Sequence, residues 1–303
     1  MKRHLIQLAK KTLVVSLPTK WVQKYNLKKG DEVEMEERDS SIMIATQNML
    51  LDSQKKRVDI TGAASMARRI LAGLYKAGYD EMEVVFGSTE ELEEVYEVVR
   101  AGFLGFEITS QGKNTLTIKQ VSKPEENEFE NILRRIFLII KTASQDMAQA
   151  VMQNDKNWLQ QIAMRDRDIN KLADYCRRML NKKASIEGYR IAPLYNIIEQ
   201  LEKIGDKYKS IALEVVEKNL KPTKSTLNIF SKANDYFSRF YELFYKLEIK
   251  RLEEFKKEFK TNKELIAKET LAAKKEDLYI LFKLNEIMRE TFELNGPLIV
   301  AKM

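Results

Sequence analysis

From about residue 124 to residue 303, apolar residues recur at the spacing of a helix face, and no other feature commits so much of the chain to one architecture. Phe129, Ile132, Leu133, Ile136, Phe137, Ile140, Ala143, Met147 and Val151 follow an i, i+3, i+4, i+7 rhythm and share one stripe. A second helix is expected over about 155–181, opened by Asp155 as N-cap, and a third from near Pro193 to about Asn219. Pro222 then separates a further three, about 224–247, 249–272 and 275–295. Helices with one apolar face and short connections bury those faces against one another. Two sets of three read as a tandem pair of three-helix bundles over 124–303.

Residues 56–121 have a different rhythm. Short apolar runs at 57–60, 82–86, 106–109 and 115–120 alternate with helical stretches at 63–77 and 89–101, the last two strands turning through Gln111-Gly112-Lys113-Asn114. The order βαβαββ describes a small α/β module. Thr61-Gly62-Ala63-Ala64-Ser65 joins a strand to a helix start, where free N–H groups can hold an anion. No P-loop or Gly-x-Gly-x-x-Gly accompanies it, so ordinary capping is the better reading.

The first thirty residues hold eight Lys or Arg and no acid before Asp31, in a chain whose net charge is +7. The stretch is patterned to fold: strands are expected at 3–8 and 12–17, a helix opened by Pro18 over 18–25, a turn at Gly30-Asp31, and strands at 32–37 and 41–46. A folded basic surface points to phosphate backbones. Lys10 and Lys11 fall at a hairpin tip, where long cationic side chains reach outward; an ordinary solvated turn is the plainer alternative. A core this small is marginal alone, which argues for intertwining with a second copy.

Cys176 is the only cysteine and His4 the only histidine. A disulfide within the chain and a Cys/His zinc site are excluded by count, and a reducing cytoplasm is the simple expectation. No apolar run reaches the roughly 18 residues of a membrane helix. Lys10 and Lys11 break the apolar stretch that a signal peptide would need. Cys176, mid-helix beside Arg177 and Arg178, reads as packing ahead of a reactive thiol. The aromatic run Phe230, Tyr236, Phe237, Phe240, Tyr241, Phe244, Tyr245 reads as bundle core ahead of a ligand cage.

Two resemblances add to this. Ile6-Gln7-Leu8, Thr12 through Pro18, Trp21-Val22 and Leu27-Lys28-Lys29-Gly30-Asp31-Glu32-Val33 resemble the AbrB/SpoVT swapped-hairpin DNA-binding domain, here over 1–50. That family implies a small swapped-hairpin β-barrel dimer, with Arg3, Lys10, Lys11, Lys20 and Lys24 presented to double-stranded DNA. Leu201-Glu202-Lys203-Ile204-Gly205-Asp206 resembles the third-helix signature of PhoU domains. Those are pairs of three-helix bundles whose acidic motifs bind iron or zinc and which work with phosphate transporters and signalling partners. The combination, with an α/β insert, resembles archaeal phosphate-uptake-regulator-like proteins. The metal candidates carried over are Glu202, Asp206 and Asp166, a partial set. Asn170 stands where the second-helix motif has its second acid, and Phe282 replaces a carboxylate in the second repeat. On spacing alone, Glu202 and Asp206 read as a solvated helix edge with a Glu199–Lys203 pair.

The chain is thus expected to be a multidomain α+β protein with segments 1–50, 56–121 and 124–303. The leading functional reading is a homodimeric DNA-binding regulator linked to phosphate uptake. The alternative is an adaptor for a transporter or signalling protein, with the N-terminal segment used only for dimerisation. An enzyme is disfavoured because no nucleophile constellation is present.

Overall fold

The computed structural model describes residues 2–8, 11–38, 41–46, 54–122, 128–182 and 189–303, without the side chains of 34, 36, 38, 41, 43 and 45. The chain divides into two compact units, Met1–Ser53 and Gln54–Met303.

In the first unit, β1 (Ile6–Leu8) pairs antiparallel with β2 (Thr12–Val14), Ile6 facing Val14 and Leu8 facing Thr12. Pro18 is the N-cap of α1 (Thr19–Lys24), and its carbonyl accepts the N–H groups of Trp21 and Val22. β3 (Val33–Arg38) and β4 (Ser41–Thr46) form a second antiparallel ribbon. The turn into β3 needs its glycine. Gly30 has φ +96°, a region costly for any residue with a Cβ. Asp31 closes that turn by accepting the Lys28 N–H at 2.7 Å.

In the single chain the described residues of this unit form two separate two-stranded ribbons and no closed barrel; the expected barrel is one that two chains would complete. The first ribbon is apolar on both faces. By the strand alternation Leu5, Leu13 and Val15 share one face and Ile6 and Leu8 the other, and all five are 46–67% exposed. A lone hairpin cannot cover both of its own faces.

The second unit begins with the α/β module: β5 (Lys55–Asp59), α2 (Ala64–Ala77), β6 (Glu81–Val85), α3 (Thr89–Gly102), β7 (Phe106–Gln111) and β8 (Thr115–Gln120). The sheet order is β5-β6-β8-β7, parallel at β5–β6 and antiparallel elsewhere, so βαβαββ is the observed order. Alternation buries Met82, Val84, Leu116 and Ile118 and leaves polar residues between them. Lys55, Glu81 and Lys119 stand side by side across three strands, with Glu81 pairing both lysines at 3.1 and 3.7 Å.

Among the described residues eight helices follow: α4 (Glu128–Gln153), α5 (Lys156–Met164), α6 (Asp166–Lys182), α7 (Ile191–Lys218), α8 (Lys224–Tyr245), α9 (Ile249–Ala272), α10 (Lys275–Glu293) and α11 (Asn295–Lys302). The helix expected over 155–181 is two helices. The Arg165 N–H bonds the Ile162 carbonyl three residues back, a tighter turn, and its guanidinium pairs with Asp146 on α4 at 2.6 Å. α11 is an addition to the expected set. Phe230, Tyr236, Phe237, Phe240 and Phe244 are fully buried, and Phe137 of α4 packs among these rings. The aromatic run is core.

The module is joined to α6 through Arg178, whose side chain is 2% exposed. It donates to the carbonyls of Tyr75 and Tyr79, both at 2.8 Å, to Asp80 at 2.5 Å and to Gln120 at 3.2 Å. Its guanidinium also lies over the rings of Phe106 and Tyr75, 4.7 and 5.1 Å from their centroids.

Candidate functional site

Two sets of residues carry the chemistry that the sequence points to. The first is the cationic set of the N-terminal unit. Lys11 is the turn residue just before β2, and Lys20 and Lys24 are one turn apart on α1. These three and Arg3 are exposed, and none has an ion pair among the described residues. Lys24 lies 5.2 Å from the ring centroid of Tyr25. Lys10 is outside the described residues. Lys28 and Lys29 are exposed too. Sequence reasoning left them out, although they lie in the same acid-free stretch. Asp31, the first acid, accepts the Lys28 backbone N–H.

The second set is the acids of the first bundle. Asp166, the first residue of α6, is 3% exposed. Its Oδ2 accepts from Lys209 Nζ of α7 at 2.6 Å and from Asn170 Nδ2 at 3.2 Å, while Oδ1 has no hydrogen-bond partner among the described residues. Asp206 lies near the same ammonium, at 3.9 Å. Partial burial and then the charge of Asp166 hold the Asp206 carboxyl above its ordinary range, against the pull of Lys209 and Lys207. Glu202 turns instead to Arg177 of α6, which also pairs with Asp174 at 2.8 Å and lies 3.8 Å from Glu199. The Glu199–Lys203 pair is present as well, at 3.8 Å.

The structure therefore divides the three candidate ligands between two resident cations. It brings Asp166 and Asp206 together and assigns Glu202 elsewhere. A metal cluster needs several anionic oxygens converging on one point. Among the described residues no group of three or more His, Cys, Asp or Glu side chains is placed to hold a metal ion. The cleft beside Asp166, lined by Arg165, Gly205, Tyr208 and Lys209, has a volume of about 10 Å³, room for roughly one water. These residues do not fit iron or zinc. Gly205 has a packing role: a Cβ there would come within 2.9 Å of Ile169 on α6, so the glycine permits close approach of α6 and α7. Phe282, which replaces an acid in the second repeat, is 57% exposed.

Sequence reasoning missed Lys209 and Arg177. The Asp206–Lys209 spacing was readable along one helix, but the bond from Lys209 to Asp166 crosses between helices. A second signal lay unread in Glu258-x-x-x-Asn262 on α9, which repeats the acid-x-x-x-Asn spacing of Asp166 and Asn170. Arg239 of α8 reaches Glu258 at 2.9 Å.

The strand-to-helix turn at Thr61–Ser65 offers nothing to an anion. The Gly62 N–H is taken by Glu91 at 2.5 Å and the Thr61 N–H by Asp59 at 2.9 Å. Cys176 is buried, and burial pushes its thiol well above the ordinary range, away from reactivity.

Comparison with known proteins agrees with these two parts. Residues 6–51 match the family model described as antidote-toxin recognition MazE, bacterial antitoxin, and residues 133–215 match the PhoU domain. Among solved structures, PhoU from Pseudomonas aeruginosa is similar at 14% identity, covering 57% of this chain and 94% of that one, with a TM-score of 0.46. The phosphate transport system regulatory protein PhoU from Streptococcus pneumoniae is similar at 14% identity, covering 57% and 92%, with a TM-score of 0.46. No curated protein matches the chain. The chain thus joins an N-terminal segment that matches the MazE antitoxin family to a helical region that matches the PhoU domain.

Proposed function

We propose that this protein is a homodimeric DNA-binding regulator whose PhoU-like helical region receives a phosphate-linked signal. The observation that carries the DNA-binding part is the set of exposed cations Arg3, Lys11, Lys20 and Lys24, without ion pairs among the described residues, in a stretch with no acid before Asp31. Phosphate neutralisation needs many mobile cations on a folded frame, and this unit supplies them. Lys10 joins the set by its place at the hairpin tip in the sequence. The match to the PhoU domain supports the phosphate link. The ribbon that is apolar on both faces favours pairing with a second copy, in which strands of the partner cover what one chain leaves open.

The test is a fluorescence-anisotropy titration of the full chain with duplex DNA over a salt series, for wild type and for Lys10→Glu/Lys11→Glu. Affinity should fall steeply with salt, by about 0.9 in log–log slope for each phosphate neutralised. The double reversal should weaken binding and flatten the slope. A salt-insensitive response, or equal binding by the reversed variant, would remove the DNA reading. The N-terminal unit would then be a dimerisation clasp for an adaptor.

A further inference from the structure

An acid–Asn spacing recurs in the two sets of helices. One helix of each set carries an acid followed four residues later by Asn: Asp166 and Asn170 on α6, Glu258 and Asn262 on α9. Asp166 and Asn262 are buried, and Glu258 is 20% exposed. Asp166 meets Lys209 of the following helix, α7, at 2.6 Å, whereas Glu258 meets Arg239 of the preceding helix, α8, at 2.9 Å, a guanidinium that is 61% exposed. One turn before Asp206, Glu202 is matched in the same way by Arg177, whose side chain is 5% exposed. A buried carboxylate without a partner is costly, and a fixed ammonium or guanidinium removes that cost as a metal ion would.

We infer that Lys209 and Arg177 are resident counter-cations of the first bundle, standing where the resemblance to PhoU domains implies metal ions, so that this bundle holds its shape with no metal bound. The inference is independent of DNA binding. It rests on the division of the acids between side chains of the same chain.

Full-length protein purified without chelator is to be measured for iron and zinc by mass spectrometry, and its Tm followed with and without EDTA. Metal should be far below one atom per chain and EDTA should leave Tm unchanged. Lys209→Met keeps an apolar stem but removes the charge; it should lower Tm by a few degrees. Lys209→Arg should hold Tm near wild type. Asp166→Asn should be less harmful in the Lys209→Met background than in wild type, because a charge pair is non-additive. Stoichiometric iron or zinc whose removal lowers Tm would overturn the inference. So would a Lys209→Met variant as stable as wild type. If Lys209→Met fails to fold, the wild-type metal content and the Lys209→Arg variant still decide.

Discussion

Arg178 of α6 and Asp80, the residue just before β6, form a 2.5 Å ion pair between elements far apart in sequence, and both side chains are largely shielded from solvent. Burial alone would drive Arg178 toward losing its proton; the Asp80 charge opposes that. Arg178→Met should leave Asp80 and the Tyr75 and Tyr79 carbonyls short of a donor. The expected loss is about 3–5 kcal/mol, the usual cost of removing one partner of a buried pair. Lys182 also reaches Asp80 and places the loss toward the lower end. Urea denaturation followed by far-UV circular dichroism measures it, and a change below about 1 kcal/mol would show that the junction is held by apolar packing instead.

Glu91 is the clamp of the α/β module. Its carboxylate accepts the Gly87 N–H at 2.7 Å, the Gly62 N–H at 2.5 Å and the Ser88 N–H at 3.2 Å, while the Ser88 side chain caps the Glu91 N–H. These bonds, the one from Gly87 first, hold the carboxyl below its ordinary value of 4.5 against the effect of burial. A depressed acid contributes stability above its unfolded pKa and loses it as pH falls through the folded one. Stability of wild type should therefore decline as pH drops below 4.5. Glu91→Gln should be less stable at neutral pH and should lack this part of the acid limb. Thermal melts from pH 7 down to acid compare the two.

Asp206 has the opposite sign. Its carboxyl is raised, so its contribution is present below the ordinary value of 3.8 and is lost as pH rises through the folded value. Asp206→Asn should equal wild type in acid and gain slightly at neutral pH, where the repulsion from Asp166 is relieved. The gain is small because the side chain is 52% exposed. A drop in Tm at neutral pH would instead mark Asp206 as holding something the variant cannot.

The proposed second copy predicts a sharp phenotype at Leu13, which is 63% exposed in a single chain. Leu13→Glu should give a monomer in sedimentation velocity at concentrations where wild type sediments as a dimer, with the helical circular-dichroism signal of Gln54–Met303 retained. A dimer that survives Leu13→Glu would mean that the ribbon is not the contact.

Much of this fold was legible because long periodic stripes leave few alternatives. The stripe from Phe129 to Val151 is the inner face of α4, and the runs at 224–247, 249–272 and 275–295 correspond to α8, α9 and α10 to within a few residues. The break at Arg165 was not legible because neither Gly nor Pro marks it; it follows from a pairing with Asp146 across the bundle. α11 was missed because Asn295-Gly296-Pro297 has the composition of a stop. Pro297 sits in the first turn of that helix, where no N–H is needed. The site was half legible. Acids at a fixed spacing can be read along one helix, but the cation that neutralises them comes from another, and only packing reveals it.

The Arg178 junction bears on how this protein can be taken apart. A fragment ending near residue 121 would keep the sheet but lose the guanidinium that covers Phe106 and satisfies the turn at Tyr79-Asp80. A fragment starting near residue 124 would keep that guanidinium and strip it of all its partners outside α6. Both pieces would carry a fresh wound at the same spot, whereas a cut between Ser53 and Gln54 falls between compact units. Dissection, crystallisation of parts and domain transplantation should follow that seam, because the change of rhythm near residue 122 marks a change of secondary structure inside one compact unit.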